Sequence, residues 1–423
     1  MDGLAQTSRG VLGSAILLLI VGVIVVWSLD DAAPTKPDAP PSMTAVSSSR
    51  SADGDDAIRV ALTRRSVSSI RLRIDGSYRL VPLDGREGPV AVPEPLSDRS
   101  LEVDPRGIDI AGRRFGGSGV EVVPDSSPAV WIDGRKYRGS VRLHLTSEGG
   151  MRAVNVVPLE EYVAAVVDAE MPGHFPTAAR EAQAIVARGY AVSCRRQPPH
   201  EWFDLYSTPV SQNYLGVIYE GREGRLLAGE TAGGRAAAAS TESLVCTFDG
   251  ELFRTYYSAC CGGRTFAGDV VFDDGTGSLP SVACGGCDDA PLFRWERSIA
   301  SDAALERLSE LARARMPAFR SIASAKTIGG VSVPAVVAIS DGRRTVRLPA
   351  VEVRSAIGLP SLCFQLTGDG RRIDVAGRGH GHGVGLCQWG AKGLAERGLS
   401  CREILQHYYP GCELTLLSAS TAR

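Results

Sequence analysis

From Val11 to Leu29 the chain carries no charged residue, and Leu17 to Trp27 is almost purely aliphatic. At a rise of about 1.5 Å per residue, a helix over this run spans just under ~30 Å, the thickness of a bilayer's hydrocarbon core. Arg9 precedes the run, and Asp30 and Asp31 follow it. This charge asymmetry predicts a short N-terminus inside and all the rest outside the cytoplasm. The competing reading is a cleaved signal peptide, whose apolar region runs about 7–15 residues and ends in a small-x-small site. Ala32-Ala33 is a poor version of that site, so the sequence points to an uncleaved, single-pass membrane anchor over residues 1–29. Under either reading the remaining chain is exported.

Residues 30–57 turn to Pro, Ala, Ser and Asp with almost no large apolar side chain. Such a stretch cannot offset the entropy of ordering and is expected to be a disordered tether. The whole chain of 423 residues is 44% hydrophobic, enough for one large core or two moderate ones. Its 46 basic and 48 acidic side chains leave a formal charge of -2, which excludes a whole-chain field directed at nucleic acid.

Structure is expected from Ile58 onward. Ile58–Leu62 alternates as a strand should, and similar runs recur at Ile70–Ile74, Val90–Val92, Val120–Val123 and Val141–Leu145. Asp75-Gly76, Asp84-Gly85, Gly116-Gly117 and Asp133-Gly134 punctuate them as turns. Residues 58–150 therefore read as antiparallel β-structure, a structural platform. Two helices follow at the head of a second part, residues 151–412. Pro158–Ala169 carries Leu159, Val163, Val166 and Val167 at helical spacing, and Pro172 stops it. Pro176–Cys194 repeats the plan with Ala182, Ile185, Gly189 and Val192 on one stripe, Gly189 allowing a close neighbour. Strands and turns, an amphipathic helix at Ala303–Met316, a Gly-rich loop and a last helix near Cys401–Tyr408 complete the plan. Residues 413–423 read as a tail. The fold class is α+β.

Two segments could carry chemistry. Glu170 lies at the end of an apolar helix, between Ala169 and the Met171-Pro172 stop. Partial desolvation there would raise its pKa and suit it to general acid work. The bland alternative is a solvated Glu at a helix end. The run from Gly377 to Gly385 alternates Gly with Arg378, His380, His382 and Val384. Its glycines permit a tight backbone path, and its two His residues could donate to a substrate, accept a proton or bind a metal.

These segments fit one pattern. Leu159-Glu160-Glu161-Tyr162-Val163, Ala169-Glu170-Met171-Pro172 and Ala182–Ala191 come first. Tyr257-Ser258, Gly262-Gly263-Arg264-Thr265, Gly379–Ala391 and Glu403–Gly411 follow in order. In order and spacing the chain resembles the stage II sporulation protein D family, the SpoIID/LytB domain, over roughly Ile58 to Cys412. The resemblance implies a β-rich domain with a helical pair carrying the catalytic Glu. It also implies a peptidoglycan lytic transglycosylase acting on glycan strands. In that chemistry one Glu, here Glu170, protonates the glycosidic oxygen. It then takes the proton of the sugar's own 6-hydroxyl to close a 1,6-anhydro ring, where ordinary glycosidases use two carboxyls. Glu161 is the second candidate acid. Gln183, Arg188, Tyr190, His380, His382 and Gln388 are the implied substrate contacts, and no cofactor is required for catalysis. The same domain type is associated with stimulating a cell-wall amidase, so a non-catalytic binding module with an amidase partner is the alternative.

The family's Tyr-His-Ser segment reads Tyr256-Tyr257-Ser258 here, with Tyr257 in place of His. Cys260-Cys261 and Cys284-Gly285-Gly286-Cys287 come soon after, close to the ligand arithmetic of a structural zinc site. An exported chain with ten cysteines also admits disulfides. Adjacent Cys260 and Cys261 pair poorly with each other, whereas a metal accepts both. Cys194, Cys246, Cys363, Cys387, Cys401 and Cys412 show no metal spacing, and Cys387 stands where the family motif usually has Ser.

Overall fold

Alternation of buried and exposed side chains sets up the β-structure, as in Ser69–Ile74, where every second residue is buried. The computed structural model describes residues 56–272, 279–312, 321–324, 327–328, 331–332, 336–340, 343, 345–368 and 371–417. The expected anchor over Val11–Leu29 and all but the end of the expected tether lie outside the described residues. Among the described residues no helix is long and apolar enough to cross a membrane.

A seven-stranded sheet runs in the order Leu205–Tyr206, Ala57–Ala61, Met151–Pro158, Ser140–Leu145, Gly119–Pro124, Tyr78–Pro82, Val90–Val92. Only the pairing of Leu205–Tyr206 with Ala57–Ala61 is parallel. A six-stranded antiparallel sheet runs in the order Leu226–Ala228, Ile218–Glu220, Arg135–Tyr137, Val130–Ile132, Ser69–Ile74, Leu96–Glu102. The expected Asp133-Gly134 turn joins two of its strands, with φ positive at both residues, as a tight hairpin with right-handed strand twist requires.

Strand Met151–Pro158 pairs with Ser140–Leu145 and with Ala57–Ala61, so the sheet crosses the boundary drawn at residue 150. The hairpin is closed by pairing across residues 146–150, which strand-by-strand alternation does not reveal. Likewise Glu413–Leu416, read as tail, pairs with Leu244–Phe248.

Eight helices occur among the described residues: α1 (Leu159–Glu170), α2 (Thr177–Arg196), α3 (Ala232–Ser240), α4 (Gly268–Val271), α5 (Ser301–Ala312), α6 (Ala350–Ala356), α7 (Gln388–Glu396) and α8 (Cys401–Tyr408). The architecture is mixed α+β. Helix α1 leaves strand Met151–Pro158 directly at Pro158 and packs against α2 and α3. Seven of its twelve residues are buried, more than the expected single stripe, because three elements cover it. Gly189 of α2 has no room for a methyl group: a Cβ there would lie 2.7 Å from Thr255 Oγ1.

One core runs continuously from Ile58 to Cys412 through both sheets and α1, α2, α7 and α8. A second, smaller core gathers Trp295, Leu308, Ile339, Val353, Phe364 and Val375. It is built by α5, α6 and two three-stranded sheets inserted between Cys287 and the Gly-rich loop.

Candidate active site

Glu170 is the last residue of α1; Met171 leaves the helix in extended conformation while its N–H still bonds Val167 O at 2.9 Å. Phe175, just beyond Pro172, packs edge-on against Trp389 with ring centroids 5.2 Å apart. The half-buried Glu170 accepts a 2.6 Å bond from the Asn213 N–H and faces Gln388 Nε2 at 3.3 Å. Removal from water pushes its carboxyl above the ordinary range; hydrogen bonds from the Asn213 backbone, Gln388, the Asn213 side chain and Tyr257 oppose this. The negative end of the α1 dipole adds to the upward push. Among the described residues none forms an ion pair with Glu170.

Two other acids of α1, Glu160 and Asp168, are committed elsewhere. Glu160 grips Arg188 through both carboxylate oxygens, at 2.7 and 2.6 Å. Asp168 pairs with Arg180 and accepts the Thr231 N–H at 2.6 Å at the start of α3. These contacts fasten α1 to its neighbours and leave Glu170 facing neutral donors.

A short chain of neutral groups orients Tyr257 toward Glu170. Tyr162 OH donates to Gln212 Oε1 at 3.0 Å, and Gln212 Nε2 donates to Tyr257 OH at 3.0 Å. With its oxygen accepting that bond, the Tyr257 hydroxyl proton is left for the Glu170 carboxylate, its other polar neighbour. Gln388 Nε2 is shared in turn with Gln183 Oε1 at 3.3 Å.

Tyr257 and Gln388 reach this place through one pairing: Tyr257-Ser258 runs parallel to Leu386-Cys387, with Ser258 opposite Cys387. Gly385 makes the approach possible. Its φ is +70°, and a Cβ would lie 1.9 Å from Tyr256 O. His382 locks the loop to the same strand, since its Nδ1 accepts the Val384 N–H at 3.1 Å and its ring bonds the Tyr257 backbone. Burial, and then the charge of Arg354, lower His382 to about 4, so it is a neutral brace.

Beside this pairing lie four buried sulfurs, Cys261, Cys284, Cys287 and Cys387, all within 4.8 Å of one another. Four thiolates around one tetrahedral zinc at about 2.3 Å stand about 3.8 Å apart. Cys261 and Cys287 Sγ are 3.8 Å apart. Cys387 Sγ accepts the N–H groups of Cys261 and Gly390, each at 3.3 Å, as a ligating thiolate does. The donor set suits a soft or borderline cation.

Residues 147–248 match the family model described as SpoIID, stage II sporulation protein. The stage II sporulation protein D of Bacillus amyloliquefaciens is 26% identical over 286 residues, 65% of this chain and 78% of that protein. An uncharacterised protein of Brachyspira hyodysenteriae is 29% identical over 302 residues, covering 69% of this chain and 76% of its own length. The amidase enhancer of Bacillus subtilis is 23% identical over 369 residues, 75% of this chain and half of that protein. Residues 147–248 thus carry the match to the SpoIID model, and the chain beyond them is similar to stage II sporulation proteins D.

The structure gathers Glu170, Gln183 and Gln388 as neighbours. It does not bring Arg188 to them: that side chain is fully buried, held by Glu160 and by the carbonyls of Leu244 and Ala238. Tyr190 is buried edge-on against Tyr256, with the Arg254 guanidinium over its ring. Glu161 sits in the first turn of α1, about 13 Å from Glu170 along the helix. His380 pairs by backbone with Cys260 and makes no side-chain hydrogen bond among the described residues.

The expected sulfur set is corrected at one position. Cys387 replaces Cys260, which stays at the edge in hydrogen-bond contact with Cys287 and Cys387. Cys260 is paired there by its backbone with His380. Tyr257 had a sequence signal, the departure from the family's His. Asn213 and Gln212 had none, because a loop distant in sequence delivers them.

Proposed function

We propose that the chain is a peptidoglycan lytic transglycosylase in which Glu170 performs both proton transfers. The observation that carries this reading is the Glu170 carboxyl: half-buried, at a helix C-terminus, unpaired by cations and raised by removal from water. As an acid it protonates the glycosidic oxygen after N-acetylmuramic acid. The carboxylate so formed takes the proton of that sugar's 6-hydroxyl, whose oxygen closes the 1,6-anhydro ring at the anomeric carbon. Asn213, Gln388 and Tyr257 steady the carboxylate between the two transfers. Release of 1,6-anhydro sugars from glycan strands by the full chain, lost in Glu170→Gln, is the expected result. Unchanged product in that variant would remove Glu170 from the chemistry.

The similarity to an amidase enhancer favours a second reading, a wall-binding module that stimulates a peptidoglycan amidase. In that case Glu170→Gln keeps full stimulation of the amidase and the chain alone releases no sugar.

Two further features belong to the proposal. The sulfurs of Cys261, Cys284, Cys287 and Cys387 would hold a structural zinc, tying the strand of Tyr257 to the start of α7, where Gln388 lies. The N-terminal apolar run would anchor the chain in the cell membrane with the domain outside, on a tether averaging ~30 Å in reach. Glycan close to the membrane is then met first. Extraction only by detergent is expected, and recovery from the soluble secreted fraction would overturn the anchor.

A further inference from the structure

The inserted lobe touches the Gly-rich loop through Trp295, whose Nε1–H donates to Gly379 O at 2.9 Å, and through a turn flanked by two guanidinium groups. The Gly381 N–H donates to Pro360 O at 2.9 Å, and Ser361 bridges to Gly381. Arg354 of α6 donates from Nε to Leu359 O at 3.2 Å and from Nη2 to Pro360 O at 3.1 Å. Arg297 Nη1 donates to Gly358 O at 2.6 Å.

Several buried or half-buried arginines of this molecule are compensated by carboxylates, and among the described residues these two are not. Arg59, Arg138, Arg180 and Arg188 each have a carboxylate partner, respectively Asp204, Glu230, Asp168 and Glu160. Arg297 and Arg354 form no ion pair among the described residues. Arg354 is half-buried and donates its hydrogen bonds to carbonyl oxygens, an arrangement that leaves a desolvated cation under-compensated. His380, kept neutral by burial and then by the charges of Arg354 and Arg297, has its ring uncommitted. His382, the next histidine in the loop, is one hydrogen bond from Tyr257, which faces Glu170.

We propose that Arg354, Arg297 and the His380 ring form a carboxylate-binding subsite for the glycan polymer, on the Gly-rich loop that leads to Gln388. The inference rests on the proposed transglycosylase reading and deepens it by stating what the site recognises besides sugar. A planar guanidinium offers paired N–H donors that match a carboxylate. The polymer carries carboxylates of two origins: the lactyl group of muramic acid, and the stem peptides. The subsite would hold the strand in register so that the glycosidic oxygen meets Glu170.

The test uses the full chain carrying Glu170→Gln, so that strands bind without being cut. Affinity is measured for strands stripped of peptide and for peptide-bearing strands, each also with its carboxyl groups amidated. Arg354→Ala is expected to weaken binding of the free-carboxyl strands about ten- to a hundredfold and to leave the amidated strands unchanged. Loss on stripped strands assigns the lactyl carboxylate; loss confined to peptide-bearing strands assigns the stem. Equal loss on amidated strands, or no loss at all, overturns the subsite. Should Arg354→Ala lower the melting temperature, exposed Arg297→Ala gives the decision, with a smaller loss of the same selectivity expected and its absence fatal. Wild-type cleavage with unimpaired binding by both Arg variants would sink the subsite alone. No binding of any strand would sink the transglycosylase reading with it.

Discussion

Gln388 Nε2 stands 3.3 Å from Glu170 Oε2 across a separation of 218 residues. The two meet because Leu386-Cys387 pairs with Tyr257-Ser258 at the end of α1, so one contact joins the N-terminal and C-terminal motifs of the domain. The carboxylate thereby receives neutral donors on both oxygens and no cation, the setting from which the first two predictions follow.

Glu170→Gln should abolish sugar release, by at least about 10²–10⁴-fold, the range contributed by a positioned acid–base group, with the fold intact. Its effect on stability should depend on pH. The native state raises the Glu170 carboxyl above its unfolded value, so ionisation works against folding. The stability present below the unfolded pKa is lost as pH rises through the folded pKa. The variant should melt with the wild type at low pH and above it at neutral pH. Melting curves across pH check this, and a variant less stable at neutral pH contradicts it.

Tyr257→Phe removes a donor that lowers the Glu170 carboxyl. The carboxyl then moves further up, and the descending high-pH limb of the activity profile, set by loss of the acid's proton, moves to higher pH. Gln212→Leu, which frees the Tyr257 oxygen from its donor, should disturb the same limb. A pH–rate profile unmoved in both variants would exclude Tyr257 from tuning the acid.

About one zinc per chain is expected in protein purified without chelator. Cys387→Ser should lower that content as strongly as Cys261→Ser, whereas Cys260→Ser should leave most of it, because Cys260 lies outside the tight sulfur set. Elemental analysis decides; zinc below about half an equivalent in the wild type ends the metal reading.

Gly189→Ala should destabilise the domain by about 1–3 kcal/mol through overpacking. The new methyl would lie 2.7 Å from Thr255 Oγ1, which is fixed by a 2.7 Å bond to Val186 O. Thermal unfolding measures it, and an unchanged midpoint would show that the segment of Thr255 yields.

Helices α1, α2 and α8 and the strands from Ile58 were legible because hydrophobic period and flanking breakers act within a few residues. Pro158, Pro172 and Pro176 bracket two of those helices, and Ser400 with Glu403 caps the last. Glu170 was legible for the same reason, as a carboxylate at an apolar helix end.

The partners of Glu170 were decided in three dimensions. Nothing near Asn213 or Gln212 in the sequence distinguishes them; a loop between the two sheets delivers both beneath α1. Arg188 lies in a motif segment yet is spent on Glu160, because helix packing turned it inward. The sulfur set shows the same division. C-x-x-C spacing is a local signal and marked Cys284 and Cys287, while Cys387 joined them only through a strand pairing that closes more than a hundred residues of chain. Sequence thus determined the elements and the acid, whose causes are local. Tertiary structure decided which groups face that acid, because pairing register and burial depend on segments far apart in the chain.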